Sequence, residues 1–102
     1  MDEDRQGLLE VIREHSLQLG EFVLSSGKKS SYYLDCRTTT LHPRGALLTA
    51  RLILRAIRDN GIEAEAIGGL TLGADPIAAA VAVVSEVDGT PLPAFIVRKE
   101  TK

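Results

Sequence analysis

Hydrophobic positions recur along the chain at two different periods, and the change of period divides it. Leu8, Leu9, Ile12 and Leu19 fall at helical spacing. Asp2 or Asp4 can cap the start, so the pattern predicts a helix over 4–19 that Gly20 stops. From residue 21 the period shortens. Phe22 and Leu24 alternate with Glu21, Val23 and Ser25, a glycine-containing turn follows over 26–30, and 31–36 carries two tyrosines in series. Two short strands joined as a hairpin are expected. On the second, Tyr32 and Leu34 share one face, Tyr33 and Asp35 the other.

Thr38, Thr39, Thr40 and His42 read as a loop, and Pro43 fits the first turn of a second helix. Leu47, Ala50, Leu54 and Ile57 form its apolar stripe, and Asn60–Gly61 closes it. Arg44, Arg51, Arg55 and Arg58 gather on the other side. A solvated helix face is expected there, with a subunit contact or an anion site as the alternative. Residues 65–69 read as a buried strand, and a glycine-bearing loop spans 68–74. Asp75 as N-cap and Pro76 in the first turn then open a third helix. That helix is apolar through Val84 and is expected to be buried on most sides. Asp88–Gly89 turns the chain into a second buried strand over 93–97. Strand, loop, helix and strand make a βαβ unit, which implies parallel strands with helices on the sheet faces. The last strand is apolar and no covering helix follows it. The chain is therefore expected to be the N-terminal part of a longer domain.

Composition narrows the partners. Twelve basic side chains stand against 14 acidic ones, for a net charge of −2. That balance gives no general attraction to nucleic acid or anionic lipid. The longest apolar run, 77–84, is too short to span a bilayer. The acidic start has the wrong sign for a targeting peptide, so a soluble cytoplasmic protein is expected. Cys36 is the one cysteine, which excludes an internal disulfide and a cysteine-based zinc site. Without a partner histidine it reads as a buried residue and not a nucleophile. His15 and His42 stand apart in the sequence with no ligand cluster around them. With 4% aromatics and no tryptophan, the core must be aliphatic.

Two features can hold an anion. The strand–glycine loop–helix at 68–76 can aim backbone N–H groups and a helix N-terminus at a phosphate or diphosphate. Its glycines let the backbone approach without a Cβ in the way. The spacing matches neither the P-loop nor the dinucleotide fingerprint, and two glycines can also serve a tight turn alone. At the end of the last strand, Arg98, Lys99 and Lys102 suit a polyanionic ligand, or simply a solubilising surface. Lys28 and Lys29 sit in the hairpin turn, either as an anion cradle or as an exposed tip. Tyr32 and Tyr33 can stack on a flat ring, or one can pack in the core.

Three motifs in order carry a resemblance. They are Phe22-x-Leu-x-Ser-Gly-Lys-Lys-Ser-x-Tyr-Tyr-Leu-Asp35, Gly68-Gly-Leu-Thr-Leu-Gly-Ala-Asp-Pro76 and Phe95-Ile-Val-Arg-Lys-Glu-Thr-Lys102. From about residue 7 onward the chain resembles the N-terminal half of orotate phosphoribosyltransferase, a type I phosphoribosyltransferase. The resemblance implies an α/β fold of that type. An N-terminal helix and β-hairpin would precede a βαβ unit, and residues 1–102 would be part of one domain. It also implies the reaction. Orotate attacks C1 of 5-phosphoribosyl 1-pyrophosphate to give orotidine 5′-phosphate and pyrophosphate, with Mg²⁺, in pyrimidine synthesis. Tyr33 and Leu34 would line the orotate ring, and Leu72 and Gly73 would hold the pyrophosphate. Arg98 and Lys99 would grip it from a loop shared between the subunits of a homodimer, with Lys102 as the principal catalytic cation. Ser25 falls at a donor-contact position where some members carry Lys. Gly73 replaces a Lys of some members, which leaves backbone N–H groups to do its work. The acidic pair and Thr/Gly-rich loop that bind the ribose phosphate are not among the 102 residues. The chain alone is therefore expected to be inactive. The alternative is a non-catalytic phosphoribosyltransferase-like binding module.

Overall fold

In the computed structural model, which describes residues 2–99, helix α1 runs from Glu3 to His15. Asp2 is the N-cap: its Oδ1 accepts from the amides of Asp4 (3.1 Å) and Arg5 (3.2 Å). The helix ends short of the expected Gly20. The Ser16 amide donates to Ile12 O at 2.9 Å, and its own carbonyl accepts from the Asp35 amide at 3.0 Å. That second bond turns the chain straight into strand β1, Leu17–Val23. β1 pairs antiparallel with β2, Lys29–Leu34, from Leu17↔Leu34 to Val23↔Lys29. The register shifts between Leu19 and Phe22, where Gly20 has φ 149°. Gly20 therefore permits a bulge and does not stop a helix.

The expected threonine loop is a short helix, α2, Arg37–Thr40. Helix α3 spans Pro43–Asp59, and His42 caps it through Nδ1, which accepts from the amides of Arg44 (3.2 Å) and Gly45 (3.4 Å). It ends at Asn60–Gly61 as expected, with Gly61 at φ 61°. Its arginine row is not simply solvated. Arg51 Nε reaches Asp4 at 3.1 Å and Arg55 reaches Asp2 at 2.5 Å, which ties α3 to the first turn of α1. Hydrogen bonding from Arg55 holds the Asp2 carboxyl below the usual carboxylate range.

Strand β3 (Ile67–Leu70), helix α4 (Asp75–Val87) and strand β4 (Ala94–Val97) form the βαβ unit. β3 and β4 pair in parallel from Ile67↔Ala94 to Leu70↔Val97. A Cβ at Gly68 would lie 2.6 Å from the Phe95 ring, so glycine permits this approach. The core sits between α3 and α4. Ala50, Val81 and Leu92 are buried, with Ile53, Leu54, Ile57, Ile67 and Ile77 packed around them.

Four burial expectations are corrected. The strand expected over 65–69 is Ile67–Leu70, and none of its residues is fully buried, because β3 has a helix on one face only. Val83, within the stretch of α4 expected to be buried, is 65% exposed, and Val87 beyond that stretch is 81% exposed. All four residues of β4 are exposed, because α4 is the element that packs on the parallel pair and leaves its other face open. Cys36 is exposed rather than buried, at the step from β2 into α2. The radius of gyration is 15.5 Å, against about 13 Å for a closed domain of this length. Among the described residues, no helix is long and apolar enough to cross a membrane.

Candidate active site

The glycine loop leaves the end of β3 and enters α4. The Thr71 amide donates to Val97 O at 2.9 Å, which fastens the loop's first residue to the end of β4. The Ala74 amide turns back to Leu70 O (3.2 Å) and the Asp75 amide to Leu72 O (3.2 Å). The Thr71–Leu72 peptide is cis. Asp75 is not the N-cap; Ala74 holds that position, and Asp75 starts the helix with its carboxylate accepting from the Thr71 hydroxyl. Leu72 is 76% exposed.

The glycines here have different reasons. Gly68 is required by Phe95, and a Cβ at Gly69 would meet the Ala74 Cβ at 2.7 Å. A Cβ at Gly73 would meet nothing within 4 Å, and Gly73 has no positive φ. Internal packing therefore gives no reason for glycine at residue 73.

The basic strand end lies beside this loop. Val97 pairs with Leu70, so Arg98 and Lys99 emerge, exposed, at the same sheet edge as Thr71–Ala74. Lys102 lies outside the described residues. The structure thus brings Leu72, Gly73, Arg98 and Lys99 to one edge, where backbone N–H groups, a helix N-terminus and two cations can face an anion.

Tyr33, Leu34 and Ser25 belong to the hairpin. Tyr33 is 43% exposed, and its ring lies 5.8 Å from that of Phe22 at an interplanar angle of 36°. Leu34, also half exposed, ends β2 opposite Leu17. Ser25 is exposed in the turn after β1. The hairpin packs on α1 and makes no comparable contact with β3 or β4. Just beyond Leu34, Asp35 is committed to Arg37, accepting from Nε at 3.0 Å and Nη2 at 3.1 Å. These bonds hold the Asp35 carboxyl below the usual carboxylate range.

One proximity escaped sequence reasoning: the rings of His15 and His42 lie 4.4 Å apart. They come from different elements, and no spacing rule links them. Among the described residues no three metal-ligating side chains gather.

A hairpin followed by a parallel pair, with a glycine loop and a basic strand end at one sheet edge, defines a phosphoribosyltransferase-type fold. The structure of a phosphoribosyltransferase from Corynebacterium diphtheriae has it: TM-score 0.79, 37% identity, 99% of this chain and 54% of that one. The match sharpens to one enzyme. Mycobacterium tuberculosis orotate phosphoribosyltransferase, solved with 5-phospho-α-D-ribosyl 1-diphosphate, gives TM-score 0.77 and 42% identity over 94% of this chain and 54% of its own. Orotate phosphoribosyltransferase of Rhodopirellula baltica is 44% identical over 103 residues, covering 97% of this chain and 53% of its own length. No protein-family model matches the chain. Over nearly its whole length, then, the chain is similar in sequence and fold to part of these orotate phosphoribosyltransferases. It spans about half the length of the curated relatives it matches.

Proposed function

We propose that this chain supplies the orotate-ring site and the diphosphate edge of an orotate phosphoribosyltransferase. The enzyme would act in cytoplasmic pyrimidine synthesis. In this reading orotate attacks C1 of 5-phosphoribosyl 1-pyrophosphate and pyrophosphate departs. Tyr33 and Leu34 offer the ring an apolar and aromatic surface. The backbone at Leu72 and Gly73 donates to the departing diphosphate, and Arg98 and Lys99 add charge-assisted contacts. Ser25 offers a hydroxyl to the phosphoribosyl donor, and Lys102 is the cation that acts on the reacting centre. The loop from Arg98 onward would be shared with a second subunit in a homodimer.

Mg²⁺ fits as a cation held chiefly by diphosphate oxygens. The described residues form no ligand cage of their own, and Asp75, the first residue of α4, is the carboxylate next to the loop. When bound, Mg²⁺ would supply neutralisation of charge on the leaving diphosphate.

The observation that carries this reading is Gly73, where an added Cβ would meet nothing within 4 Å, in the loop that leaves the same end of the parallel pair as Arg98 and Lys99. The 102 residues correspond to about half of the relatives' length, and by themselves they are expected to bind without turnover. The test is an NMR titration with magnesium pyrophosphate and, separately, with orotate. Pyrophosphate should shift the amides of Leu72 and Gly73, and orotate those of Tyr33 and Leu34. Pyrophosphate shifts without orotate shifts would favour a non-catalytic binding module. Orotate-dependent release of pyrophosphate by the chain alone would refute the expected inactivity.

A further inference from the structure

The hairpin is joined to the helices through a buried relay of hydroxyls. Ser16 and Thr39 are each only 2% exposed. Ser16 Oγ lies 2.8 Å from Thr38 Oγ1 and within hydrogen-bonding distance of Thr39 Oγ1. Thr38 Oγ1 lies 2.6 Å from His15 O and 2.8 Å from Asp35 O. Carbonyl oxygens only accept, so the single proton of Thr38 is shared between these two. Ser16 must then donate to Thr38, and Thr39 to Ser16. The relay has one direction, and Thr38 is its outlet.

The place of that outlet matters more than its strength. A two-stranded hairpin is marginal by itself in water, and among the described residues the main helix contact of this one is with α1. Asp35 follows Leu34 directly, and both its main-chain groups are bound at this junction. Its amide donates to Ser16 O at 3.0 Å, and its carbonyl accepts from Thr38. Its side chain is occupied by Arg37. The backbone one residue beyond the ring-lining pair is therefore pinned to the end of α1, while its turn end is free of the helices.

We propose that Thr38 is a positioning residue for the ring-binding strand: its hydroxyl, joining His15 O to Asp35 O, fixes Tyr33 and Leu34 relative to α1. This rests on the reading of Tyr33 and Leu34 as the orotate-ring surface. Thr38 touches no ligand; it acts through the Asp35 peptide.

The test uses the full 102-residue chain with Thr38→Val, which keeps the shape and removes the hydroxyl, and Thr38→Ser, which keeps the hydroxyl. Three readouts are compared: orotate affinity, magnesium pyrophosphate affinity, and residual dipolar couplings of the hairpin amides. Thr38→Val should weaken orotate binding about three- to tenfold, the factor for one lost intramolecular hydrogen bond. It should turn the Tyr33 and Leu34 couplings away from those of α1 and leave pyrophosphate affinity unchanged. Thr38→Ser should restore both orotate affinity and couplings. Unchanged couplings in Thr38→Val overturn the proposal, as does an equal loss of both ligands, which marks general loosening of the fold. If the unsubstituted chain binds no orotate, the ring-site reading fails. The couplings still decide whether Thr38 orients the strand.

Discussion

Gly73→Ala separates a glycine kept for a ligand from a glycine kept for the fold. A Cβ at residue 73 meets nothing within 4 Å, and the backbone there is not in the left-handed region. The folded chain therefore accepts alanine without strain, while the unfolded chain loses freedom. The expected gain is about 0.4–1 kcal/mol. At about 4–8 °C per kcal/mol for a domain near this size, Tm should rise by about 2–8 °C. The same methyl stands where a diphosphate oxygen would meet the loop amides. Displacing one hydrogen bond to a charged oxygen costs about 1.5–3 kcal/mol, a loss of roughly 10- to 150-fold in pyrophosphate affinity. Differential scanning calorimetry and isothermal titration with magnesium pyrophosphate read the two effects separately. Gly69→Ala is the control. Its new methyl would sit 2.7 Å from the Ala74 Cβ, an overpacking that costs about 1–3 kcal/mol, so its Tm should fall. An unchanged pyrophosphate affinity in Gly73→Ala would refute the reasoning, as would a Tm loss matching that of Gly69→Ala.

A Cβ at Gly45 would overlap the Thr39 carbonyl oxygen, a backbone atom that cannot swing away. Gly45→Ala should therefore cost at least about 1–3 kcal/mol and lower Tm, read by calorimetry. The Asp2 carboxyl is held below its ordinary range by Arg55. Its contribution to the α1–α3 junction is thus fully present above the usual carboxylate pKa, and it is lost as pH falls through the lower folded value. In a far-ultraviolet dichroism melt series from pH 6 to pH 2, Asp2→Asn should lower Tm at pH 6 and shrink its difference from the parent chain as the pH falls. Tyr33→Ala should weaken orotate binding with little effect on Tm, since Tyr33 is about half exposed; a large Tm loss would return Tyr33 to a packing role.

Much of the fold was legible because local chemistry and tertiary structure agree. Pro43 and Asn60–Gly61 bound α3, and the strand–loop–helix–strand order of 65–97 is the βαβ unit observed. The misreadings share a cause. Leu19 lies seven residues after Ile12, a helical offset, but also two after Leu17, a strand offset. The choice fell to Ser16, whose partners Thr38 and Thr39 are 22 and 23 residues away. The arginine row looked solvated because Asp2, the partner of Arg55, is 53 residues distant. Apolar content in β4 and α4 states which faces favour a cover, and exposure depends on what packs there. At the site, the edge formed by the glycine loop and the basic strand end followed from parallel pairing. The separation of the hairpin from it did not, because no pattern in either segment encodes the angle between them.

That separation bears on how the chemistry can work. Reaction between a bound ring and C1 of a donor needs the two atoms about 3–3.5 Å apart. In the proposed reading the ring surface sits on the hairpin and the diphosphate site on the parallel pair, and among the described residues the two make no substantial contact. The connection between them runs through the helices. The hairpin is pinned at Asp35 to the end of α1. α1 is clasped to α3 by the Asp2–Arg55 and Asp4–Arg51 pairs. α3 packs on α4 through Ala50 and Val81, and α4 begins in the glycine loop. Each link is a different kind of interaction, and weakening any of them moves one half-site relative to the other without touching a ligand. In the proposed reading, residues that touch neither ligand, Thr38 and Arg55 among them, would therefore set the distance between the two half-sites.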